Sequence, residues 1–179
     1  MIRCPVVSCA PTVRHKTTKD ISGLMILIDI GCGENKIDED AIGVDVRKTS
    51  HINVMANGSN LPFRDAIVDR VYSSHMIEHM GPRKDVEKAL REWVRVLREE
   101  GYMEIRCPDL WARALLFVLR PSWYSVGFIY GNRGTHRCGF SYGLLKEMLH
   151  QCGMADVRRR RDWKGLIPYR DLHVLAKKR

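Results

Sequence analysis

Short aliphatic and β-branched runs fill the first half of the chain, and helical periodicity enters only after them. LMILIDI (24–30) is an almost unbroken apolar run ending at a glycine pair, the pattern of a strand covered on both faces. AIGVDV (41–46), HINVMA (51–56) and IVDRVYSS (67–74) are three further strand candidates, separated by turn-forming Asn, Gly, Ser and Pro. The first clear helix is expected from about Arg83 to Glu99, because Val86, Leu90, Trp93, Val94 and Leu97 recur at helical spacing and Gly101 follows as a stop. GYMEIRCPD (101–109) reads as the next strand, and Leu110 to Leu119 as a second amphipathic helix cut off by Pro121. The stretch 122–140, with five aromatic residues and four glycines, is too irregular for one element and reads as a folded loop over a site. A short helix is expected at 141–153 with Gly153 as its stop, then strands near 154–163 and 171–176. This alternation predicts an α/β sandwich around a mostly parallel sheet.

With 179 residues, 45% of them hydrophobic and 28% charged, the chain has the composition of one packed domain. Residues 1–22, with Pro5, Pro11 and a Thr-Thr-Lys cluster, read as a basic N-terminal arm, and 23–179 as the domain. No apolar run is long enough for a membrane span and no signal-peptide pattern opens the chain, so a cytoplasmic protein without membrane partners is expected. The net charge of +9 sits at the ends: residues 1–20 carry four cations and one anion, residues 158–179 nine and two. The remaining middle is nearly neutral, and such basic ends fit solvated tails, or a surface that greets an anionic substrate, better than a groove that tracks phosphates. Six cysteines without a C-x-x-C pair exclude a zinc ribbon or redox dithiol and fit reduced thiols. The arginines at 158–161 fit a solvated edge strand.

In a parallel sheet ligands sit beyond the carboxyl ends of the strands, the position held by Asp29, Gly31 and Gly33 in LIDIGCGENK. Asp45 ends the second strand, where one carboxylate can accept both hydroxyls of a ribose. A nucleoside-bearing cofactor is implied. NAD is disfavoured, because Lys36 stands where the dinucleotide fingerprint needs its third glycine.

LIDIGCG, GVD, NGSNLPFRDAIVDRVYSSHMIEHM and LREWVRVLREEGYMEIRCPD, in this order, resemble the motif series of class I S-adenosylmethionine-dependent methyltransferases. The similarity is greatest to the small branch with LPF and EH motifs. The resemblance implies a Rossmann-like three-layer sandwich with an antiparallel last strand, S-adenosylmethionine as cofactor and no metal. It implies that Gly31 and Gly33, with Cys32 between them, approach the methionine part, and that Asp45 beside Val46 holds the ribose hydroxyls. Asn57, next to Gly58, stands where the family usually has an acid on the adenine amino group, and its amide oxygen can accept that bond. Leu61 and neighbouring apolar side chains are expected to sandwich the base, and Ser74 and His75 to lie beside the transferable methyl. Only nine residues separate Gly33 from Gly43, so the family's first helix is expected to be reduced to a turn or lost.

Transfer from a sulfonium needs little beyond in-line alignment, but a hydroxyl or amine acceptor needs a base. The candidates are His136, which matches a position where the family often has histidine, His75, and Asp109 after the fifth strand. A small-molecule or sugar-type acceptor under segment 109–140 is the preferred reading, with RNA as the alternative through the basic ends. Two readings of other classes stand beside it. One is a non-catalytic cofactor-binding or partner subunit. The other is a zinc-dependent hydrolase through His75, Glu78 and His79, disfavoured because His75 directly follows a strand and Gly81-Pro82 leave no long helix for the ligands.

Overall fold

The computed structural model describes residues 25–119, 121, 129–131, 134–160 and 171–179. The expected arm at 1–22, residues 122–128 and 132–133 of the expected covering loop, and residues 161–163 of the expected sixth strand lie outside the described residues. The elements are β1 (Leu27–Ile30), β2 (Ile42–Asp45), β3 (Val54–Met55), β4 (Val68–Ser74), α1 (Arg83–Val96), β5 (Leu97–Pro108), α2 (Leu110–Leu119), α3 (Tyr142–Gln151), β6 (Met154–Arg159) and β7 (Asp171–Lys178). A single 3₁₀ turn, Ile77–His79, intervenes between β4 and α1.

One seven-stranded sheet runs in the order β3-β2-β1-β4-β5-β7-β6. Neighbours from β3 to β5 are parallel, and β7 is antiparallel to both β5 and β6. The expected antiparallel last strand is therefore present, inserted between β5 and the edge strand β6. The central strands read as continuous apolar runs because helices cover the sheet: Ile28, Val44, Val71 and Met103 are fully buried. Val86, Ala89, Leu90 and Trp93 of α1, at helical spacing, are at most 1% exposed and form the covering stripe. None of the described helices is long and apolar enough to cross a membrane.

Two local departures have physical causes. Between β1 and β2 no helix forms, as the short spacing predicts. The connection is closed by polar bonds instead: Lys36 Nζ donates to the carbonyls of Glu39 and Ala41, each at 2.9 Å, and the Ile37 amide donates to Asp29 Oδ2 at 2.7 Å. Lys36, which stands where a dinucleotide fold has glycine, is thus the staple of this loop. At the other departure, α1 ends at Val96, three residues before the expected Glu99, and Leu97 is already extended (ψ 132°). Leu97 pairs with Val68 and Tyr102 with Arg70, so most of the polar residues 98–101 bulge out of the ladder. Glu100 in this bulge has φ 65°, and a Cβ on Gly101 would lie 2.8 Å from the Arg98 carbonyl oxygen. Gly101 serves a β-bulge and not a helix stop.

Beneath the sheet's middle, Glu104 of β5 joins its two neighbours. It accepts from Arg70 of β4 and bonds His173 Nε2 of β7 at 2.6 Å. Burial pushes the carboxyl up, but these two partners outweigh it and hold the pKa at about 2 against an ordinary 4.5. A depressed carboxyl contributes stability that is present above pH 4.5 and lost as pH falls toward 2. We expect acid unfolding in that window, and a Glu104→Gln variant, ~3 kcal/mol less stable at neutral pH, should lose most of the pH dependence there. Chemical denaturation from pH 7 down to pH 2 measures both.

Candidate functional site

Strand order reverses at β1: β2 and β3 lie to one side, β4 and β5 to the other. Such a switch point leaves a crevice beyond the carboxyl ends, because successive connections leave in opposite directions. A cavity of about 450 Å³ occupies it here. Its walls come from the end of each strand in turn: Ile30 and Gly31 after β1, Val44 to Arg47 at β2, Ala56 to Gly58 after β3, and His75, Met76, His79 and Met80 after β4, with Thr135 closing one side.

Asp45 is the best-held charge on this wall. Its Oδ2 accepts from the Gly33 amide at 3.1 Å, and its Oδ1 accepts from the Arg47 amide at 2.9 Å and from Arg47 Nε at 3.3 Å. Burial opposes ionisation, yet these donors hold the carboxyl below its ordinary range. The glycine bend after β1 and the carboxylate after β2 therefore meet at one place. Gly31 has φ +76°, and a Cβ there would lie 2.3 Å from Met76 Cγ. The room that the missing side chain leaves is taken by Met76, a flexible thioether able to yield it. Gly58 is close-packed too, though less tightly: a Cβ there would lie 3.0 Å from Met76 Cε, and its carbonyl accepts from buried Trp93 Nε1 at 2.8 Å, tying the cavity wall to α1.

Several expected site residues lie behind the wall. Asp29 is 2% exposed and its carboxyl, engaged with the Ile37 amide, is pushed up to about 6 by burial. Cys32 is buried, its thiol pushed up to about 11 by burial and the nearby Asp29 and Asp45 charges. Gly33 and Ser74 stand beside the cavity but do not line it. Leu61 belongs to the core, with its amide bonded to Glu92 at 2.7 Å, so the apolar flank of the cavity is Val44, Val46, Ala56 and Met80 instead. Asn57 does line the cavity, but its amide oxygen already accepts from the Ser59 amide and hydroxyl, each at 3.0 Å. Arg47, Met76, His79 and Thr135 were not legible as wall residues, apart from their places next to Asp45, His75 and His136.

The three expected bases separate. His75 lines the cavity with a left-handed backbone (φ 51°) and lies 3.3 Å from Asp171 and 3.4 Å from Glu78, two carboxylates, Asp171 foremost, that raise its pKa to about 9. Asp109 does not reach the cavity: its Oδ1 caps α2 through the Trp111 amide at 3.0 Å, and its Oδ2 pairs with Arg159 at 2.6 Å. Arg159, expected on a solvated edge, is thereby turned inward. His136 stacks edge to face on His79, with ring centroids 5.1 Å apart. The turn carrying Glu78 and His79 is only three residues long, so the zinc-peptidase helix is not formed.

The Asp45 clamp, the apolar flank and the cavity's size fit an adenosyl cofactor, since such pockets span about 300–1,000 Å³ with few polar anchors. A family model described as "Methyltransferase domain" matches residues 28–105, the stretch from β1 to β5 that builds the cavity. The fold is shared with a SAM dependent methyltransferase from Archaeoglobus fulgidus (18% identity, TM-score 0.62, covering 87% of each chain). It is shared as well with an S-adenosylmethionine dependent methyltransferase from Mesorhizobium loti (15%, TM-score 0.62, 87% of this chain and 92% of that one). A third similar structure is the 1,6-didemethyltoxoflavin-N1-methyltransferase of Burkholderia thailandensis with S-adenosylhomocysteine bound (16%, TM-score 0.61, 86% and 70%). No curated protein sequence matches the chain. The domain match and the shared fold support an S-adenosylmethionine-dependent methyltransferase; the family model covers 28–105, less than half of the 179 residues. The part of the chain that carries this class is its methyltransferase domain, matched over 28–105.

The packing at Gly31 is testable without any ligand. Gly31→Ala combines a left-handed φ with the overlap on Met76, and we expect a loss of about 1–3 kcal/mol by denaturant titration. Adding Met76→Ala should recover the steric part of that loss and leave the backbone part.

Proposed function

We propose that this enzyme transfers the methyl of S-adenosylmethionine to a small-molecule acceptor, and that Asp45 is the anchor of the cofactor. The observation that carries the reading is the meeting of the Asp45 carboxylate with the Gly31–Gly33 bend on one wall of the cavity. Oδ2 keeps a lone pair beyond its one donor, and Oδ1 gains one where the exposed Arg47 guanidinium, 3.3 Å away, gives up its place, together enough for a ribose diol. The adenine would lie along Val46, Ala56 and Asn57, where the side-chain amide nitrogen, and not its occupied oxygen, is the group free to bond a ring nitrogen. Gly31 and Met76 then border the methionine part, with His75 at the methyl end. When bound, the cofactor supplies an electrophilic methyl on sulfur, and the chain's task is to hold it in line with the acceptor and exclude water.

The acceptor enters on the side of His79, Thr135 and His136. A small molecule suits the near-neutral middle of the chain. That the Burkholderia structure is of an enzyme named for a small heterocyclic acceptor supports the same class. Asp109 has no proton-transfer role in this reading, because both its oxygens are engaged.

Calorimetric titration with S-adenosylhomocysteine tests the cofactor reading, and micromolar binding is the expected result. Asp45→Ala should weaken that binding at least tenfold, since a charge-assisted hydrogen bond contributes about 1.5–3 kcal/mol. Undiminished affinity in the variant would remove Asp45 from the site. Polynucleotide binding that falls steeply with salt, together with methyl transfer to RNA, would replace the small-molecule acceptor.

A further inference from the structure

Beside the cavity, outside the groups assigned to the cofactor, one ligand atom from each of Glu78, His79 and His136 lies within 4.8 Å of the others. Three features of this cluster point to a ligand. Glu78 is 1% exposed, and neither carboxylate oxygen has a hydrogen-bond partner among the described residues; the nearest basic atom, His75 Nδ1, stands at 3.4 Å. His75 faces only Oε1, at a distance beyond a good hydrogen bond, so the buried carboxylate remains under-bonded and a bound cation would complete it. Second, His79 Nδ1 bonds the Thr135 carbonyl at 2.9 Å and His136 Nδ1 bonds the Ile129 carbonyl at 3.2 Å. A carbonyl only accepts, so each Nδ1 carries a proton and Nε2 is the ring nitrogen that can offer a lone pair to a metal, the arrangement that backbone carbonyls impose on metal-binding imidazoles. Third, the backbone fastens the two segments together: the Arg137 and Cys138 amides donate to the Glu78 carbonyl at 2.9 and 3.2 Å. The cluster is thus held by its frame, not by the bonds of its own functional atoms.

We infer that Glu78, His79 and His136 form a site for a first-row divalent cation, with Zn²⁺ the best match to two imidazoles and one carboxylate. Ligand atoms on one zinc lie ~2.1 Å from it and roughly 3.4 Å from one another, so the side chains close by about an ångström on binding. Three protein ligands leave a coordination position open. His79 is on the cavity wall, so the site borders the cavity. Resting on the methyltransferase reading, its occupant there is an oxygen of the acceptor, which the cation would orient toward the methyl. His75 is not part of the set. The zinc-peptidase spacing His75-x-x-Glu78-His79 is replaced by a pairing of Glu78 and His79 with His136, 57 residues further along than His79.

The test uses the full chain, stripped with a chelator and dialysed. Titration with Zn²⁺ by calorimetry and with Co²⁺ by visible absorption should each saturate at one equivalent, the cobalt spectrum showing the intense bands of low coordination number. His136→Ala and the isosteric Glu78→Gln should each weaken Zn²⁺ binding at least tenfold, with circular dichroism confirming the fold. The inference is overturned if no stoichiometric binding is seen, or if full affinity survives in the folded His136→Ala variant. S-adenosylhomocysteine titration of the stripped protein separates the two readings. Cofactor binding without metal binding overturns the site alone, and metal binding without cofactor binding overturns the methyltransferase reading of its occupant while the site stands.

Discussion

A carboxylate, together with the Gly31 amide that donates to the Val44 carbonyl, joins the two strand ends on which the whole site is built. Asp45 closes β2 and reaches across to the Gly33 amide in the turn after β1, while its other oxygen holds the Arg47 amide of its own loop. Parallel strands make no tight turns between their ends, so nothing in the ladder itself specifies how these two loops meet. Asp45 supplies that specification with a charge whose ionised form is stabilised by the backbone it organises. Placing the same carboxylate at an unclamped position would leave the loops free and the charge at its ordinary value. Here one interaction sets both the shape of the cavity and its negative pole.

The hydrophobic core positions the opposite wall. Trp93, fully buried in α1, gives its only polar hydrogen to the Gly58 carbonyl, and Gly58 packs near Ile30 and Met76. A buried indole N–H must find an acceptor, and the acceptor it finds lies on the cavity's rim. Packing of α1 against the sheet therefore fixes the loop after β3 to within a hydrogen bond. Core and site are one structure at this point, so a cavity in the core at Trp93 would be felt at the cavity wall as lost order.

Residues whose role is written in local pattern were legible in the sequence: the apolar strands, the glycine bend, the carboxylate at the end of GVD and the loss of a helix between Gly33 and Gly43. What stayed hidden depends on distant partners. Leu61 follows the family's place for a base-contacting residue, yet Glu92, 31 positions away, binds its amide and draws it into the core. Asp109 reads as a site acid because it ends a strand, but Arg159 and the amides of α2 claim both oxygens. The early end of α1 is invisible because Leu97 fits equally as the last apolar position of a helix or the first of a strand; pairing with Val68 decides it. Met76 over Gly31 is hidden for the same reason, since the contact joins residues 45 positions apart.

The turn after β4 shows how much the fold invests in this corner. His75 takes a left-handed conformation without being glycine, a strain on the order of 1 kcal/mol or more, and the bond from its amide to the Arg106 carbonyl at 2.8 Å helps hold it there. The strain redirects the chain so that His75 and Met76 face the cavity while Ile77 and Glu78 turn inward. An apolar residue at 78 would satisfy the core at no electrostatic cost, and the carbonyl at 78 would still bind the two amides of segment 137–138. Beyond what the backbone already provides, the carboxylate adds to the frame one ion-pair contact, with His75 at 3.4 Å. Its presence, buried beside two imidazoles whose outer nitrogens are left uncommitted, is explained by what the corner binds and not by how the corner folds.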